Sequence, residues 1–115
     1  LSVTLMAILR GFKVPSFLMA HYPATYVDIS TFFPSSLMSL DDPLVTSSFL
    51  KYCFLSFNKD GRASQRNPLL GPLYASDYLL KKFPPVRIFV CEVDPLRDGA
   101  LAFGLRLKKN GVDVQ

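Results

Sequence analysis

Val86-Arg-Ile-Phe-Val-Cys-Glu-Val-Asp-Pro-Leu-Arg-Asp98 decides how the rest of the chain is read. Val86 to Val93 is a nearly continuous apolar run rich in β-branched residues, the pattern of a strand buried on both faces of a parallel sheet. Asp94-Pro95 then stops the strand and opens a helix, since Pro suits the first helical position and Asp the position before it. A carboxylate therefore stands at the carboxyl end of a central strand, where open α/β sheets place their sites. On spacing alone, Asp94 reads equally as a helix N-cap and nothing more.

Outward from this stretch, Leu96, Ala100, Phe103 and Leu107 form one helical stripe running to about Asn110. Lys108 and Lys109 suit that helix's C-terminus, Gly111 suits its left-handed cap, and Val112 to Gln115 begins another strand. On the N-terminal side, Leu1, Leu5, Ile8 and Phe12 recur at helical spacing with Gly11 as the stop. Ser16 to Tyr22 is a short buried strand ended by Pro23. Between the two strands, residues 23–85 make an excursion of about sixty residues, far more than a simple crossover needs, and such a surplus commonly forms a cap or lid. Within it, Tyr26 to Pro43 reads as loop with one helical turn at Ser36–Leu40. Val45 to Phe57 reads as a helix buried all round, Asn58 to Arg66 as an exposed flexible loop, and Asn67 to Leu73 as extended. A short helix from Ser76 or Asp77 to Lys82 precedes Pro84-Pro85. The order α-β-excursion-β-α-β argues a parallel α/β sheet with right-handed crossovers.

Composition narrows the function classes. The chain has 115 residues, half of them hydrophobic, and a net charge of +4 from scattered Lys and Arg. No basic patch with interleaved aromatics is present, so nucleic acid is not an expected partner. Cys53 and Cys91 sit in no metal-spaced cluster and read as free core thiols of a reducing compartment. A single His excludes a His-rich zinc site, no apolar run reaches membrane-span length, and no secretory-signal pattern opens the sequence. Leu1 enters a helical pattern directly and Gln115 closes a strand-like run, which leads to the expectation of a piece of a larger domain.

Four segments, in order, resemble the hormone-sensitive-lipase family of α/β-hydrolases. They are Ala20-His-Tyr-Pro-Ala-Thr25, Leu37-Met-Ser-Leu-Asp-Asp-Pro-Leu44, Asn67-Pro-Leu-Leu-Gly-Pro-Leu73 and Phe83-Pro-Pro through Asp98. In the third, Gly71 stands where the family usually has Ser. The resemblance spans essentially the whole chain and implies a partial α/β-hydrolase fold, with residues 1–115 part of one catalytic domain and residues 86–115 its strand–acid–helix–strand unit. It implies a serine carboxylesterase or acylglycerol lipase working through an acyl-enzyme, with no metal and no cofactor. Asp94 would be the acid of a Ser-Asp-His triad. The nucleophile's Gly-Asp-Ser-Ala-Gly-Gly segment would precede Leu1 and the histidine would follow the strand at Val112, so these residues alone would be inactive. An acyl-ester or lipid substrate, a cytoplasmic setting and transient contact with a lipid surface or droplet follow from the same resemblance, which fixes no oligomeric state.

Other residues compete for these roles. His21 falls on a strand rather than in a histidine loop and reads as structural. Ser2 lacks the Gly-x-Ser-x-Gly surround of a nucleophile. Asp98, one helical turn beyond Asp94, reads as a helix-terminal carboxylate paired with Arg97, and is next in line as the acid. Arg62 and Ser64 form a weak basic phosphorylation pattern on an exposed loop. Met19, Phe32, Phe33, Met38, Phe49 and Phe54 have the composition of an acyl pocket and equally of an ordinary core. Two further readings stand beside the esterase: a noncatalytic α/β-hydrolase-like binding or structural module, and a flavodoxin- or receiver-like domain using Asp94 and Asp98 for Mg²⁺ or phosphate chemistry. An incomplete sheet would expose strand edges and inner helix faces, so poor solubility is expected of these residues alone.

Overall fold

The computed structural model describes residues 1–57 and 66–115. Helix α1, Ser2–Arg10, stops where Gly11 takes φ 70°, its N–H donating to the Ile8 carbonyl and that of Phe12 to the Ala7 carbonyl. Strand β1, Leu18–His21, pairs in parallel with β2, Val86–Phe89, in the register Leu18 to Val86 and His21 to Phe89. On the other side of β2, Val86 bridges Val114 in parallel, and Ile88 N–H donates to the Gln115 carbonyl at 2.9 Å. β2 is thus flanked on both edges, by β1 and by the single bridge at Val114, to which the strand expected over Val112–Gln115 is reduced among the described residues.

Helix α5, Arg97–Lys109, packs back along β2. Ala100, Phe103 and Leu107 are buried on the stripe expected from their spacing, and Leu96 packs against the same core. Gly104 lets the helix approach the sheet, since a Cβ there would lie 3.2 Å from Ile88 Cδ1. Phe103 meets Phe83 edge to face, with centroids 5.9 Å apart, and Leu5, Leu80 and Val86 complete a fully buried centre.

The excursion holds α2, Pro34–Met38; α3, Ser47–Phe57; a 3-10 turn, Pro72–Tyr74; and α4, Asp77–Leu80. Its early and late parts are joined by the Leu73 N–H donating to the Thr25 carbonyl at 2.8 Å, and Arg106 of α5 ties it to the helix by reaching the Leu73 carbonyl and pairing with Asp77 at 2.5 Å.

Five expectations need correction. The strand ends at Phe89, not Val93, because Tyr22 N–H makes a last bond to the Phe89 carbonyl and then turns away with φ 48°. Nor is β2 buried on both faces: Val86 and Ile88 face α5, Arg87 lies over the Phe17 ring, and Phe89 is exposed. Cys91, beyond the strand, is exposed and not a core thiol, while Cys53 is half-buried. In α3 only Phe54 is buried, and Phe49, Tyr52, Leu55 and Phe57 are exposed, because among the described residues no element covers the helix's other faces. Asn67–Leu73 is not extended: Asn67 Oδ1 accepts the Leu69 N–H and its carbonyl accepts those of Leu70 and Gly71, an Asx-type turn leading into the 3-10 turn. The loop read over Asn58–Arg66 lies, apart from Arg66, outside the described residues, and so do Arg62 and Ser64.

Candidate active site

The chain leaves β2 through exposed Cys91-Glu92-Val93 and folds into a turn at Asp94-Pro95-Leu96 before α5 starts at Arg97. Asp94 therefore stands ahead of the helix's N-cap, which is Leu96, and Pro95 lies before the helix rather than at its first position. The turn still uses Asp94 as a cap. Its Oδ1 accepts the Leu96 N–H at 2.8 Å, and its carbonyl accepts the Arg97 N–H at 3.0 Å. Among the described residues Oδ2 accepts no hydrogen bond, and Asp94 is half-buried at the carboxyl end of the sheet. Capping thus occupies one oxygen of Asp94 and leaves the other without a hydrogen bond among the described residues.

Asp98 is fully engaged. Its Oδ1 accepts Arg97 Nε at 2.9 Å, and its Oδ2 accepts the Ser35 N–H at 2.8 Å. Burial pushes this carboxyl up, but the Arg97 guanidinium and the Ser35 backbone bond outweigh it and hold it below the usual carboxylate range. Each oxygen of Asp98 thus has a partner, and the Arg97 guanidinium pairs its charge. For the Mg²⁺ reading, Asp94 and Asp98 belong to no group of three or more His, Cys, Asp or Glu side chains among the described residues that could hold a metal ion.

His21 ends β1, exposed, its ring stacked on Phe89 with centroids 4.6 Å apart. That is a packing role at the strand end, though not the buried one that "structural" suggests. Ser2 is half-buried in α1.

Tyr26 lies at the base of the site. Its ring covers Gly99 of α5 and meets Phe33 and Phe54 edge to face at 5.0 and 5.5 Å. Burial, opposed in part by the Ser36 hydroxyl, raises its phenol above the ordinary range. Beside it a small open pocket is lined by Ile29, Phe32, Leu50 and Phe54, with Asp28 and Lys51 at its polar side. Of the six residues with acyl-pocket composition, Phe32 and Phe54 line this pocket and Phe33 packs on Tyr26; Met19, Met38 and Phe49 are exposed.

The sequence reading missed Ser35, Tyr26 and Asp28. Pro34 followed by two serines is a usable helix-start signal, and α2 does begin there, two residues earlier than expected. Nothing local announces that Ser35 meets Asp98 across 63 residues.

The family model described as the alpha/beta hydrolase fold matches residues 1–115. An esterase of Fusarium pseudograminearum is 45% identical over 75 residues, covering 63% of this chain and 22% of that protein. Hormone-sensitive lipase of Mus musculus is 41% identical over 49 residues, 43% of this chain and 6% of that protein. The crystal structure of carboxyl esterase 2 from the mycorrhizal fungus Tuber melanosporum superposes with a TM-score of 0.89 at 33% identity, over 98% of this chain and 36% of that one. The chain thus spans about a fifth of the first of these relatives and about a third of the solved esterase. A central parallel strand running into an acid-bearing turn and a helix folded back beneath it agrees with each likeness: the chain belongs to the alpha/beta hydrolase fold family, within which it is similar to hormone-sensitive lipase.

Proposed function

We propose that these residues are the acid-bearing part of a serine carboxylesterase or acylglycerol lipase of the hormone-sensitive-lipase type, with Asp94 as the triad acid. The observation that carries the proposal is the division of labour at Asp94: Oδ1 is held by the Leu96 N–H, while among the described residues Oδ2, at the carboxyl end of β2, accepts no hydrogen bond. A triad acid must accept an imidazole N–H, fix its tautomer and stabilise the imidazolium formed during attack. A carboxylate anchored through one oxygen and free at the other suits that task. The nucleophile and the histidine would come from sequence outside these 115 residues, the serine attacking the ester carbonyl to give an acyl-enzyme that water then hydrolyses. The esterase and lipase relatives support an acyl ester as substrate.

Turnover of short and long p-nitrophenyl esters by the complete encoded protein, wild type against Asp94→Asn, tests this. The expected loss in kcat is about 10³- to 10⁴-fold with the fold intact. Near-full activity in the variant would reduce Asp94 to a turn residue. A wild type that turns over no ester would favour the noncatalytic module instead.

A further inference from the structure

Helix α2 begins without a cap of its own. Phe33 holds its N-cap position and cannot accept a backbone N–H through its side chain, so the first N–H groups need partners from elsewhere. Asp98, from α5, supplies one through Oδ2 to the Ser35 N–H at 2.8 Å. Ser35 returns the bond: its Oγ accepts the Asp98 N–H at 3.3 Å and donates to the Pro95 carbonyl at 3.0 Å. Each side chain thus satisfies the other's backbone N–H, as in a capping box, but between two helices rather than within one. Ser35 is essentially fully buried, where a lost partner is costly.

The turn caught between these bonds is Asp94-Pro95-Leu96. Pro95 has no N–H to give, and its carbonyl is the atom that Ser35 holds. On the other side, Arg97 donates Nη1 to the Glu92 carbonyl at 2.7 Å and Nε to Asp98, tying the strand exit to the start of α5 across the same turn. From this arrangement we infer that Ser35 and Asp98 are positioning residues, which clamp the Asp94 turn against α2 and fix where the free oxygen of Asp94 points. The inference rests on the reading of Asp94 as the triad acid. It assigns to the excursion a part in catalysis beyond that of a cover, because a triad tolerates only small misplacements of its members.

The test uses the complete protein with p-nitrophenyl butyrate, measuring kcat, KM, the pH profile of kcat/KM and thermal midpoint for Ser35→Ala, Ser35→Thr, Asp98→Asn and Asp94→Asn. Ser35→Ala is expected to lower kcat about tenfold with KM nearly unchanged. It should also move the acidic limb of kcat/KM to lower pH, since an imidazole with a poorly aimed carboxylate loses proton affinity. Ser35→Thr keeps the hydroxyl and should restore most of the loss, while Asp98→Asn, nearly isosteric, should reproduce the limb shift. A Ser35→Ala variant with a lower thermal midpoint but unchanged kcat and limb would overturn the inference. Should Ser35→Ala fail to fold, wild-type kcat and limb in Asp98→Asn would overturn it equally. An inactive Asp94→Asn beside a normal Ser35→Ala sinks the clamp alone, whereas an active Asp94→Asn sinks the triad reading and the clamp with it.

Discussion

Residues 86–115 and the excursion at 23–85 share one apolar core but differ in the polar side chains they bury. In the former, α5 buries Gly99, Ala100, Phe103, Gly104 and Leu107, with Gly104 against Ile88 of β2 and Gly99 and Phe103 against Tyr26 and Phe83 of the excursion, and 86–115 buries no polar side chain among the described residues. The excursion also supplies apolar core, through Tyr26, Val27, Phe54, Leu73, Leu79, Leu80 and Phe83, and to this it adds buried hydroxyls and a carboxylate. Thr25, Asp28, Ser35, Ser36 and Ser39 are all buried, while most of its large apolar side chains on α3 are exposed. Asp28 accepts the Ser30 N–H at 2.8 Å, the Ser30 hydroxyl at 2.6 Å and the Thr31 hydroxyl at 3.1 Å, and Thr31 in turn meets Tyr74 at 2.8 Å. Apolar burial is non-directional and needs only a matching face, whereas hydrogen bonds fix position and angle. On the reading proposed for Asp94, the helix that follows it would rest on the first, and the bonds from Ser35 would aim its turn through the second.

The sharpest way to break this contrast is truncation of one aromatic in each region. Phe103 is fully buried against Phe83, so Phe103→Ala in the complete protein should cost about 3–5 kcal/mol, read from denaturant unfolding. Phe49 on α3 is 55% exposed, and Phe49→Ala should cost about 0.5 kcal/mol or less. Equal losses would mean that α3 gains burial in the complete protein, and the contrast would then belong to these residues alone.

This contrast also marks what the sequence can disclose. The stripe Leu96, Ala100, Phe103, Leu107 is legible because its period reports the one face that the helix buries, and the structure buries it. Gly11 and Gly111 are legible for a similar local reason: both end helices at positive φ, 70° and 83°. Residues Val45 to Phe57 mislead because apolar residues all round a helix state an appetite for burial, not a supply of partners. The tail of the strand, Val90 to Val93, misleads similarly: a strand lasts only as long as its neighbours do. Asp94 was legible as a carboxylate at a strand end, yet its two oxygens can be told apart only once the Leu96 bond is seen. The Ser35–Asp98 clamp joins positions 63 apart through a serine in a polar run, and no local pattern encodes such a partner.

Two glycines of α5 sharpen the comparison at an intermediate scale. In a helix interior Gly→Ala ordinarily gains up to about 1 kcal/mol. At Gly104 the new methyl would press on the flexible end of Ile88 at 3.2 Å and make an ordinary contact with Val114 Cγ1 at 3.6 Å, so much of that gain should survive. At Gly99 it would lie 2.5 Å from Tyr26 Cε1, inside a ring already wedged between Phe33 and Phe54. Gly99→Ala should therefore destabilise by about 1–3 kcal/mol and loosen the excursion from α5. A smaller residue at position 26, Tyr26→Leu, should recover part of the loss in a double-mutant cycle. Simple additivity of the two changes would show that Tyr26 is not what couples the regions.

The smallest effect expected is a dependence on acid that belongs to the excursion and its clamp. At Asp28, burial raises the carboxyl, but the Ser30 and Thr31 bonds outweigh it and hold it below its ordinary value; Asp98 is held low in the same way by Arg97 and Ser35. A carboxyl whose folded value is depressed binds its proton more weakly in the folded chain than in the unfolded one. Its contribution to stability is therefore complete above the unfolded value near 4 and is lost as pH falls below that toward the folded value. Thermal midpoints of the complete protein should fall across this acidic window, and Asp28→Asn and Asp98→Asn should each flatten the fall. Phe103→Ala, acting through apolar burial, should lower the midpoint at every pH and leave the slope as it was. If Asp28→Asn and Asp98→Asn kept the wild-type slope, carboxylates elsewhere would set it. The excursion would then owe its position to the packing of Tyr26 on α5 rather than to its hydrogen bonds.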